Sequence, residues 1–470
     1  MPKDLDNKID FYAQPGVEYI YIVFKVSKKT CGGNSYSVEA EKIEKLLNTK
    51  NYSCDVKPLF TTDTPPHAPI APVDETYGFN RYFKVIFSGN CPAAHLINTI
   101  LQVIAEQDFI ELVYPAGKPV DASVGITDPH GPPPLYFENV SGAAQPRLAI
   151  PNFFQYQYYL WPPSVTTGSF KLGGIDVEPA WAALGGDGRY VTILSHEIGA
   201  WYTNHINLPH ERAFAQGAID IDDHDTSAVG VMAARRILVT PTIGIVGIAY
   251  NARVAYAGSP IEDLRRAYDL LNPGDVVQVG IQFIVGAIAG CTAPCRVPVE
   301  YENARYEIHR ALTDKGIHVI LAAGNGGLNL DHADFNGKFN RNLRDSGAIF
   351  VGGITPSTAT RASYSNYGAR IDSSSWGWSV VTTAYASGNL FNELNAWYRN
   401  DFSGTSSANP IVAGAAACLS SIGKAYNKPL PPRLLREIFT RTGTAFLENN
   451  SSIMGTQPYL WSAIGTFLNT

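Results

Sequence analysis

The run FSGTSSANPIVAGAAACLSS, residues 402–421, places a serine at a turn that leads directly into an apolar helix. Gly404 and Ser406 belong to the turn, and the predicted helix starts near Ala408. A serine at a helix N-terminus exposes its Oγ, and the free N–H groups and the dipole there favour a developing negative charge on oxygen. Serine is also a common N-cap residue, which explains one serine but not the whole run G-T-S-x-A-x-P-x-V-A-G. We therefore predict that Ser406 is a nucleophile.

A second motif that could do chemistry contains a histidine. The run HDTSAVG, residues 224–230, lies between a polar loop and the apolar, helix-like segment VMAARR. Together with the serine run it resembles the subtilisin-like serine proteases, or subtilases, whose histidine motif is usually H-G-T-x-V-A-G. The resemblance implies that His224 is the general base for Ser406. Asp225 stands where the family usually has glycine.

A third motif, VILAAGNGG at residues 319–327, is an apolar strand that ends in Ala-Ala-Gly-Asn. The resemblance assigns Asn325 to the oxyanion hole, and Ala323 and Gly324 to substrate binding. A side-chain amide at a strand's end can donate to a tetrahedral intermediate together with the Ser406 N–H, and losing such a donor costs about 100- to 1,000-fold in rate. Taken alone, an asparagine before Gly-Gly is also an ordinary turn residue.

The acid that would orient His224 is predicted at Glu197. In VTILSHEIGAWYTNH, residues 191–205, the β-branched, apolar start favours a strand, and the His-Glu pair lacks the second histidine of the zinc-protease motif H-E-x-x-H. In the subtilases the acid follows a strand as Asp-x-Gly, and the tripeptide E-I-G stands in that frame. Asp222 and Asp223, which precede the histidine, are the alternative acids.

The substrate-binding strand of the family corresponds to DVVQVGIQF, residues 275–283. The usual S-x-G is replaced here by Gly280, Ile281 and Gln282. The resemblance implies that this strand pairs its backbone with an extended polypeptide substrate. Strand addition would then supply affinity, and side-chain pockets would supply selectivity.

These residues need a scaffold that brings distant segments together, and the second half of the chain predicts one. The predicted strands are RYVTIL, TIGIVGIAY, DVVQVGIQF, IHVILAAG and AIFVGGI, and the predicted helices are TSAVGVMAARR, SPIEDLRRAYDLL and EYENARYEIHRALTDKG. Helical connections of ten or more residues between strands indicate a parallel sheet. With the resemblance, this predicts an α/β fold: a doubly wound, subtilisin-like parallel sheet with helices on both faces.

The N-terminal part has a different pattern. Its order is β-α-β-β-α-β, that of a ferredoxin-like fold, with strands at 18–26, 55–60, 81–88 and 109–116 and helices at 37–50 and 93–107. Subtilase propeptides have this fold, so the resemblance implies that the unit is the enzyme's own chaperone and inhibitor. The predicted organisation is a ferredoxin-like domain at 1–117, a Pro/Gly-rich linker at 118–160, where a cut would be tolerated, and a catalytic domain at 161–470.

The resemblance implies a serine endopeptidase with a Ser-His-Glu triad and an acyl-enzyme intermediate. Two alternatives stay open. The departures at Asp225, at Glu197 and in the S-x-G motif fit a weak or inactive member that binds peptides in the same cleft. An acyl-enzyme captured by an amine would instead make a peptide ligase or transpeptidase. A metalloprotease is disfavoured, because His196, His205 and His210 lack ligand spacing within a helix.

Composition and charge indicate which classes of partner and which cellular location to expect. A net charge of −6 without a basic run argues against nucleic acid, and no apolar run is long enough to span a membrane. No signal peptide is visible, so we expect secretion if a leader has been removed and a cytoplasmic location otherwise. We expect no required cofactor. Calcium sites are common in the family, but the oxygen-rich residues 329–337 are more simply a solvated loop. Cys291 and Cys295 either form a disulfide or stay free thiols.

Overall fold

The computed structural model describes residues 7–29, 36–61, 71–124, 150–164, 169–237, 243–446 and 453–470. Its strands are β1 (Tyr19–Val26), β2 (Cys54–Pro58), β3 (Tyr82–Phe87), β4 (Ile110–Gly117), β5 (Pro119–Asp121), β6 (Thr192–Glu197), β7 (Ala215–Gln216), β8 (Arg253–Gly258), β9 (Val276–Val279), β10 (Ile281–Val285), β11 (Cys295–Pro298), β12 (His318–Ala322), β13 (Ile349–Thr355), β14 (Thr360–Arg361), β15 (Ser373–Trp376), β16 (Val380–Thr383), β17 (Phe391–Glu393) and β18 (Ala396–Phe402). Its α-helices are α1 (Tyr36–Thr49), α2 (Pro72–Tyr77), α3 (Ala94–Ala105), α4 (Glu178–Ala182), α5 (Asp223–Ala233), α6 (Ile261–Leu270), α7 (Asn303–Asp314), α8 (Thr405–Ala425), α9 (Pro432–Thr442) and α10 (Leu460–Asn469). Within these ranges, no helix is both long and apolar enough to cross a lipid bilayer.

The N-terminal part folds around a four-stranded antiparallel sheet with the order β2-β3-β1-β4. Each predicted strand and helix of this part lies within two residues of its observed position. Alternation along β1 gives the sheet two apolar faces: Ile22 and Phe24 join the core beneath α1 and α3, whereas Val23 points the other way. That second face is buried against α6 and α7, where Val23 shares a hydrophobic cluster with Leu264 and Ile308.

The larger part is built on an eight-stranded sheet with the order β14-β13-β12-β9-β6-β8-β7, in which β15 also pairs with β13. All of its strand pairs are parallel except that of β13 with β14. Neighbouring residues of β6 point to opposite faces, Ile193 into the cluster with α5 and α8 and Leu194 into the cluster with α6 and α7. Helices therefore cover both faces, and the predicted α/β fold is confirmed.

One predicted strand is wrong. The segment TIGIVGIAY, residues 242–250, forms no strand in its described part, 243–250. The N–H groups of Ile248 and Ala249 donate instead to carbonyls near the end of α5, at 3.0 and 2.8 Å. An apolar run that pairs with a helix end is not available for a sheet ladder. The next strand of the sheet is β8, with the more polar sequence RVAYAG.

The predicted strand DVVQVGIQF is two strands separated by Gly280. The first, β9, lies in the large parallel sheet, and the second, β10, forms a three-stranded antiparallel sheet with β5 and β11. Cys291 and Cys295 are joined by a disulfide in the β10–β11 hairpin. Strand β5 comes from the start of the segment predicted as a linker, so the chain's own backbone occupies the edge of the predicted substrate-binding strand.

Candidate active site

Ser406 lies where a tight turn becomes a buried helix. It is the second residue of α8, and Gly404 just before the helix has a φ of 91°, a conformation that favours glycine. A Cβ at Gly404 would also lie 2.3 Å from the carbonyl oxygen of Ala122. The Ser406 Oγ donates to the Gly280 carbonyl at 3.4 Å, and its backbone N–H donates to the Ala122 carbonyl at 3.0 Å. The turn therefore presents a hydroxyl and an amide to one small space.

Asn325 follows β12 and supplies a second donor to the same carbonyl. Its Nδ2 donates to the Ala122 oxygen at 2.5 Å, and its Oδ1 accepts from the Thr405 N–H and Oγ1 at 3.0 and 2.9 Å. The two bonds from Thr405 fix the direction in which the amide points. The Ala122 oxygen thus lies between a side-chain amide and the Ser406 N–H, which is the geometry of an oxyanion hole.

The peptide group in this position belongs to the chain itself. Strand β5 pairs antiparallel with β10, and its continuation brings the Ala122 N–H to the Gly280 carbonyl at 3.0 Å. On the other side of Ala122, the Val124 carbonyl accepts from the Ser403 Oγ at 2.6 Å. The Ala122–Ser123 bond therefore crosses the site beside Ser406, held by backbone contacts on both sides.

His224 lies in the first turn of α5. Asp222 is the N-cap of this helix, and its Oδ1 accepts the His224 N–H at 2.7 Å. The ring is 8% exposed and packs edge-on against Phe402, with ring centres 5.5 Å apart. Among the described residues, neither ring nitrogen has a hydrogen-bond partner.

Three carboxylates surround the Nδ1 of His224. The nearest oxygens of Asp121, Glu197 and Asp225 lie 3.7, 3.8 and 3.9 Å from it. These distances are too long for hydrogen bonds but short enough for a strong interaction between charges. Glu197 is the last residue of β6 and is fully buried, and the Nε2 of Gln278 donates to its Oε1 at 2.7 Å.

Asp225 is the second fully buried carboxylate of the site. Its Oδ2 accepts the Gly199 N–H at 2.8 Å, while its Oδ1 and the Glu197 Oε2 have no hydrogen-bond partner within the described ranges. Sequence reasoning missed the proximity of both Asp225 and Asp121 to the imidazole. The replaced glycine of the histidine motif was a visible signal for Asp225. Asp121 had no local signal, because a long-range strand pairing brings it to the site.

The charges of this cluster act on one another. Burial alone would lower the pKa of His224, but the carboxylates of Asp121, Glu197 and Asp225 raise it to about 10. Burial also raises the pKa values of Glu197 and Asp225, because their charged forms lose hydration. The charged carboxylates therefore favour the protonated imidazole as long as they surround it.

Gly280 leaves the space that Glu197 occupies. A Cβ added at Gly280 would lie 1.8 Å from the Glu197 Oε1 and 2.7 Å from the Gln278 Nε2. Real Cβ atoms do not approach oxygen so closely, since repulsion rises steeply inside van der Waals contact. The glutamate, one methylene longer than aspartate, thus reaches into volume that any side chain at position 280 would fill.

The two alternative acids make other contacts. Asp222 caps α5, and Asp223 pairs with Arg399 at 2.5 Å and accepts the Tyr385 N–H at 2.6 Å. Asp223 thus neutralises a cation on β18 instead of facing the imidazole Nδ1.

The predicted substrate-binding residues Ile281 and Gln282 belong to β10, which pairs with β5. Ile281 lies opposite Asp121, and Gln282 lies opposite Val120. The Gln282 amide is fully buried: its Oε1 accepts the Asn325 N–H at 2.8 Å, and its Nε2 donates to the Asp121 carbonyl at 2.8 Å. Its side chain therefore links the bound strand to the oxyanion donor.

Ala323 and Gly324 connect β12 to Asn325. The Gly324 φ is 89°, and its N–H donates to the Thr405 Oγ1 at 3.2 Å. This left-handed turn directs Asn325 toward the nucleophile turn. Asn325 therefore contacts Ala122, and Ala323 and Gly324 lead the chain to that position.

Two of the histidines near Glu197 in the sequence, His196 and His205, are bonded to other parts of the protein. The His196 Nε2 contacts the Arg305 guanidinium at 2.8 Å, and the His205 Nε2 contacts the Trp397 carbonyl at 2.9 Å. Burial lowers the pKa of both histidines. In the described part of the chain, the groups with the spacing of metal ligands are built around His224 and its neighbouring carboxylates.

Comparison with known proteins identifies the family of the chain. The sequence profile of the Subtilase family, Peptidase_S8, matches residues 198–455. An extracellular protease of Xanthomonas campestris is 28% identical over 264 residues, which are 53% of this chain and 40% of that protein. A thermophilic serine proteinase of a Bacillus species is 29% identical over 209 residues, 44% of each chain. The chain thus spans less than half the length of these two relatives.

A solved structure with the same fold is that of fervidolysin from Fervidobacterium pennivorans, described as a keratinolytic enzyme related to subtilisin. The TM-score is 0.59 at 14% sequence identity, and the match covers 97% of this chain and 62% of that one. At this identity the likeness concerns the fold alone. The family profile covers more than half of the 470 residues. This chain belongs to the subtilase family.

Proposed function

We propose that the chain is a serine endopeptidase whose first substrate is its own Ala122–Ser123 bond. One observation carries the proposal: the Ala122 carbonyl oxygen accepts from both the Ser406 N–H, at 3.0 Å, and the Asn325 Nδ2, at 2.5 Å. Two such donors polarise a carbonyl toward the negative charge that develops when a nucleophile adds to it. A segment that served only to hold the two parts of the chain together would not need two hydrogen bonds to this one carbonyl oxygen.

In this mechanism Ser406 attacks the carbonyl carbon, and His224 accepts the hydroxyl proton and returns it to the leaving amine. Glu197 orients the imidazole and stabilises its cation, while Asn325 and the Ser406 N–H bind the oxyanion. Water then releases the acyl group. The Ser406 Oγ must first leave the Gly280 carbonyl, to which it donates at 3.4 Å.

The N-terminal unit acts as an inhibitor that remains after the cut. Asp10 pairs with Lys338 at 2.6 Å, and Asp74 pairs with Arg265 at 2.8 Å. The apolar sheet face and strand β5 add to these contacts, and none of them depends on the Ala122–Ser123 bond. Breaking that bond therefore leaves the product strand in the cleft until the unit dissociates or is degraded.

The test is incubation of the purified full chain followed by N-terminal sequencing and mass spectrometry. We expect a new terminus at Ser123 in the parent and none in Ser406→Ala. Ser420→Ala is the matched control, since Ser420 lies 14 residues farther along the same helix, about 21 Å away, and donates to the Gly274 carbonyl. An intact parent under folding conditions, or cleavage that persists in Ser406→Ala, would contradict the proposal.

A second candidate is a peptide-binding member with little catalysis. It is favoured by the 3.4 Å bond from the Ser406 Oγ to Gly280, and by the His224 Nε2, which has no hydrogen-bond partner in the described residues. A fluorophosphonate probe separates the two functions on chain from which the N-terminal unit has been removed. Labelling that is lost in Ser406→Ala supports the enzyme, and absence of labelling supports the binding protein.

We also propose that the chain acts outside the cell. Relatives in Xanthomonas campestris and Dichelobacter nodosus are named as extracellular proteases. The Cys291–Cys295 disulfide is the kind of bond that persists in oxidising compartments. Fractionation of the source cells with an antibody against the catalytic part tests this, and a pool confined to the cytoplasm would contradict it.

A further inference from the structure

The position of Ala122 identifies the subsite for the residue that precedes the cleaved bond. Its carbonyl oxygen lies between the two oxyanion donors, and its N–H donates to the Gly280 carbonyl at 3.0 Å. Ala122 is fully buried. The methyl group of this residue therefore occupies the subsite, and what surrounds it decides which side chains can be accepted there.

The Gln282 side chain occupies one wall of this subsite. Its amide bridges the carbonyl of Asp121 and the N–H of Asn325, at 2.8 Å on each side, so it lies alongside Ala122 between the two. The bond to Asn325 is buried and the bond to Asp121 is partly buried, and Gln282 itself has no exposed surface. A larger side chain in place of the Ala122 methyl would have to displace this amide and leave its partners unpaired, which is costly in a buried site.

A second amide lies near this subsite, beside Gly324. A Cβ at Gly324 would lie 2.9 Å from the Asn366 Nδ2 and 3.5 Å from the Gln282 Oε1, so both amides border this glycine. The Asn366 Nδ2 donates to the Ala323 and Arg296 carbonyls at 2.7 and 3.0 Å. Asn366 is held by backbone partners and cannot swing aside without losing them.

We infer that Gln282 closes this subsite, so that the enzyme cleaves after small residues such as alanine, glycine and serine and rejects large side chains. The inference rests on the proposed peptidase function and adds its substrate class. The chain's own Ala122 is a side chain of the accepted size. Gln282 stands where the family's S-x-G motif places glycine, so the closure is a property of this chain rather than of the family pattern.

The test compares peptides that differ only in the residue before the cut, alanine against phenylalanine, with the N-terminal unit removed. In the parent we expect kcat/KM to be at least about 100-fold higher for alanine, since the phenylalanine peptide leaves buried amides unpaired. In Gln282→Ala and Gln282→Gly we expect this ratio to fall at least tenfold. The absolute rates fall as well, because Asn325 loses a contact, so the ratio is the readout.

Gln457→Ala is the matched control. Gln457 is also a fully buried glutamine, and its Nε2 donates to the Gly173 and Gly174 carbonyls, outside the described active site. Its removal should leave the alanine-to-phenylalanine ratio unchanged. A parent that cleaves both peptides equally, or a ratio that survives both Gln282 variants, overturns the inference.

Self-cleavage of the full chain provides a second test if a Gln282 variant no longer cleaves added peptides. Ala122→Phe should slow self-cleavage by at least about 100-fold, and adding Gln282→Gly should restore part of it. If the parent does not cleave itself at all, the proposed function fails. If it does and Ala122→Phe is cleaved as fast, only the closed subsite fails.

Discussion

The two halves of the active site are prepared in opposite ways. On the oxyanion side, the Ser406 N–H and the Asn325 amide have all their contacts formed and already hold a carbonyl. On the acid side, an imidazole and two buried carboxylates face one another at 3.8 and 3.9 Å, with several of their polar atoms unbonded in the described structure. The neutral donors of the site have formed their hydrogen bonds, whereas several polar atoms of the charged groups have no partner in the described residues.

In the proposed mechanism, the difference follows from what each half must do. Backbone and amide donors do not change their charge during the reaction, so turns and helix ends can fix them permanently. The imidazole must gain and lose a proton, and three carboxylates around it hold that proton in place. Under the proposed self-cleavage, Asp121 is the one of the three that would leave with the N-terminal unit.

Removing the acid should have the largest effect. Glu197→Gln keeps the shape but cannot orient or stabilise the imidazolium, so we expect kcat to fall by about 10³- to 10⁴-fold. Rates of the mature enzyme on a peptide with alanine before the cut are the measurement. The matched variant is Asp225→Asn. The Asp225 carboxylate already accepts the Gly199 N–H, so we expect this variant to lower kcat by less than Glu197→Gln does. If Asp225→Asn is the more damaging change, Asp225 and not Glu197 is the acid.

Removing an oxyanion donor should cost less. Asn325→Ala deletes one of the two donors and should lower kcat by about 100- to 1,000-fold, with a smaller change in KM. Thr405→Val removes the hydroxyl that orients Asn325 but leaves the donor, so its effect should be smaller still. Steady-state kinetics of both variants measures this. An equal loss of kcat in both variants would mean that the Thr405 contact, and not the Asn325 amide as a donor, is what the oxyanion side needs.

The smallest expected effect is a displacement of a pH profile. Because the neighbouring carboxylates raise the pKa of His224 to about 10, the share of neutral imidazole grows as pH rises, and self-cleavage should quicken toward that value. Asp121→Asn removes one raising charge, so the profile should move to lower pH, by on the order of one unit for a partly exposed neighbour.

Single-turnover self-cleavage of the precursor across pH measures that displacement. Glu18→Gln is the control. Glu18 is exposed and pairs with Lys118, which lies three residues before Asp121 in the chain. A profile that does not move in Asp121→Asn would mean that the two buried carboxylates alone set the charge of His224.

Local patterns predicted the parts of the site that local structure creates. The turn before Ser406, the strand end at Asn325 and the helix start at His224 are each encoded within about ten residues. Their meeting follows from the parallel sheet, because loops at the carboxyl ends of neighbouring strands lie together. The same reasoning failed at residues 243–250, where an apolar run buried against a helix end has the sequence pattern of a strand.

What sequence reasoning could not reach depends on distant pairings. Ala122 and Asp121 enter the site through hydrogen bonds to β10, about 160 residues farther along the chain, and nothing near Ala122 in the sequence announces them. In the sequence, Gln282 was noticeable only because it replaces the glycine of the S-x-G motif. Its role depends on two partners, at positions 121 and 325, that only the folded chain brings together.

The space at Gly280 also constrains how such a site can arise. A Cβ at this position would lie 1.8 Å from the Glu197 oxygen, so a serine at position 280 would leave no room for the longer acid. The two departures from the usual motifs, 83 positions apart, therefore depend on each other. Among related chains, we expect the long acid only where position 280 is glycine.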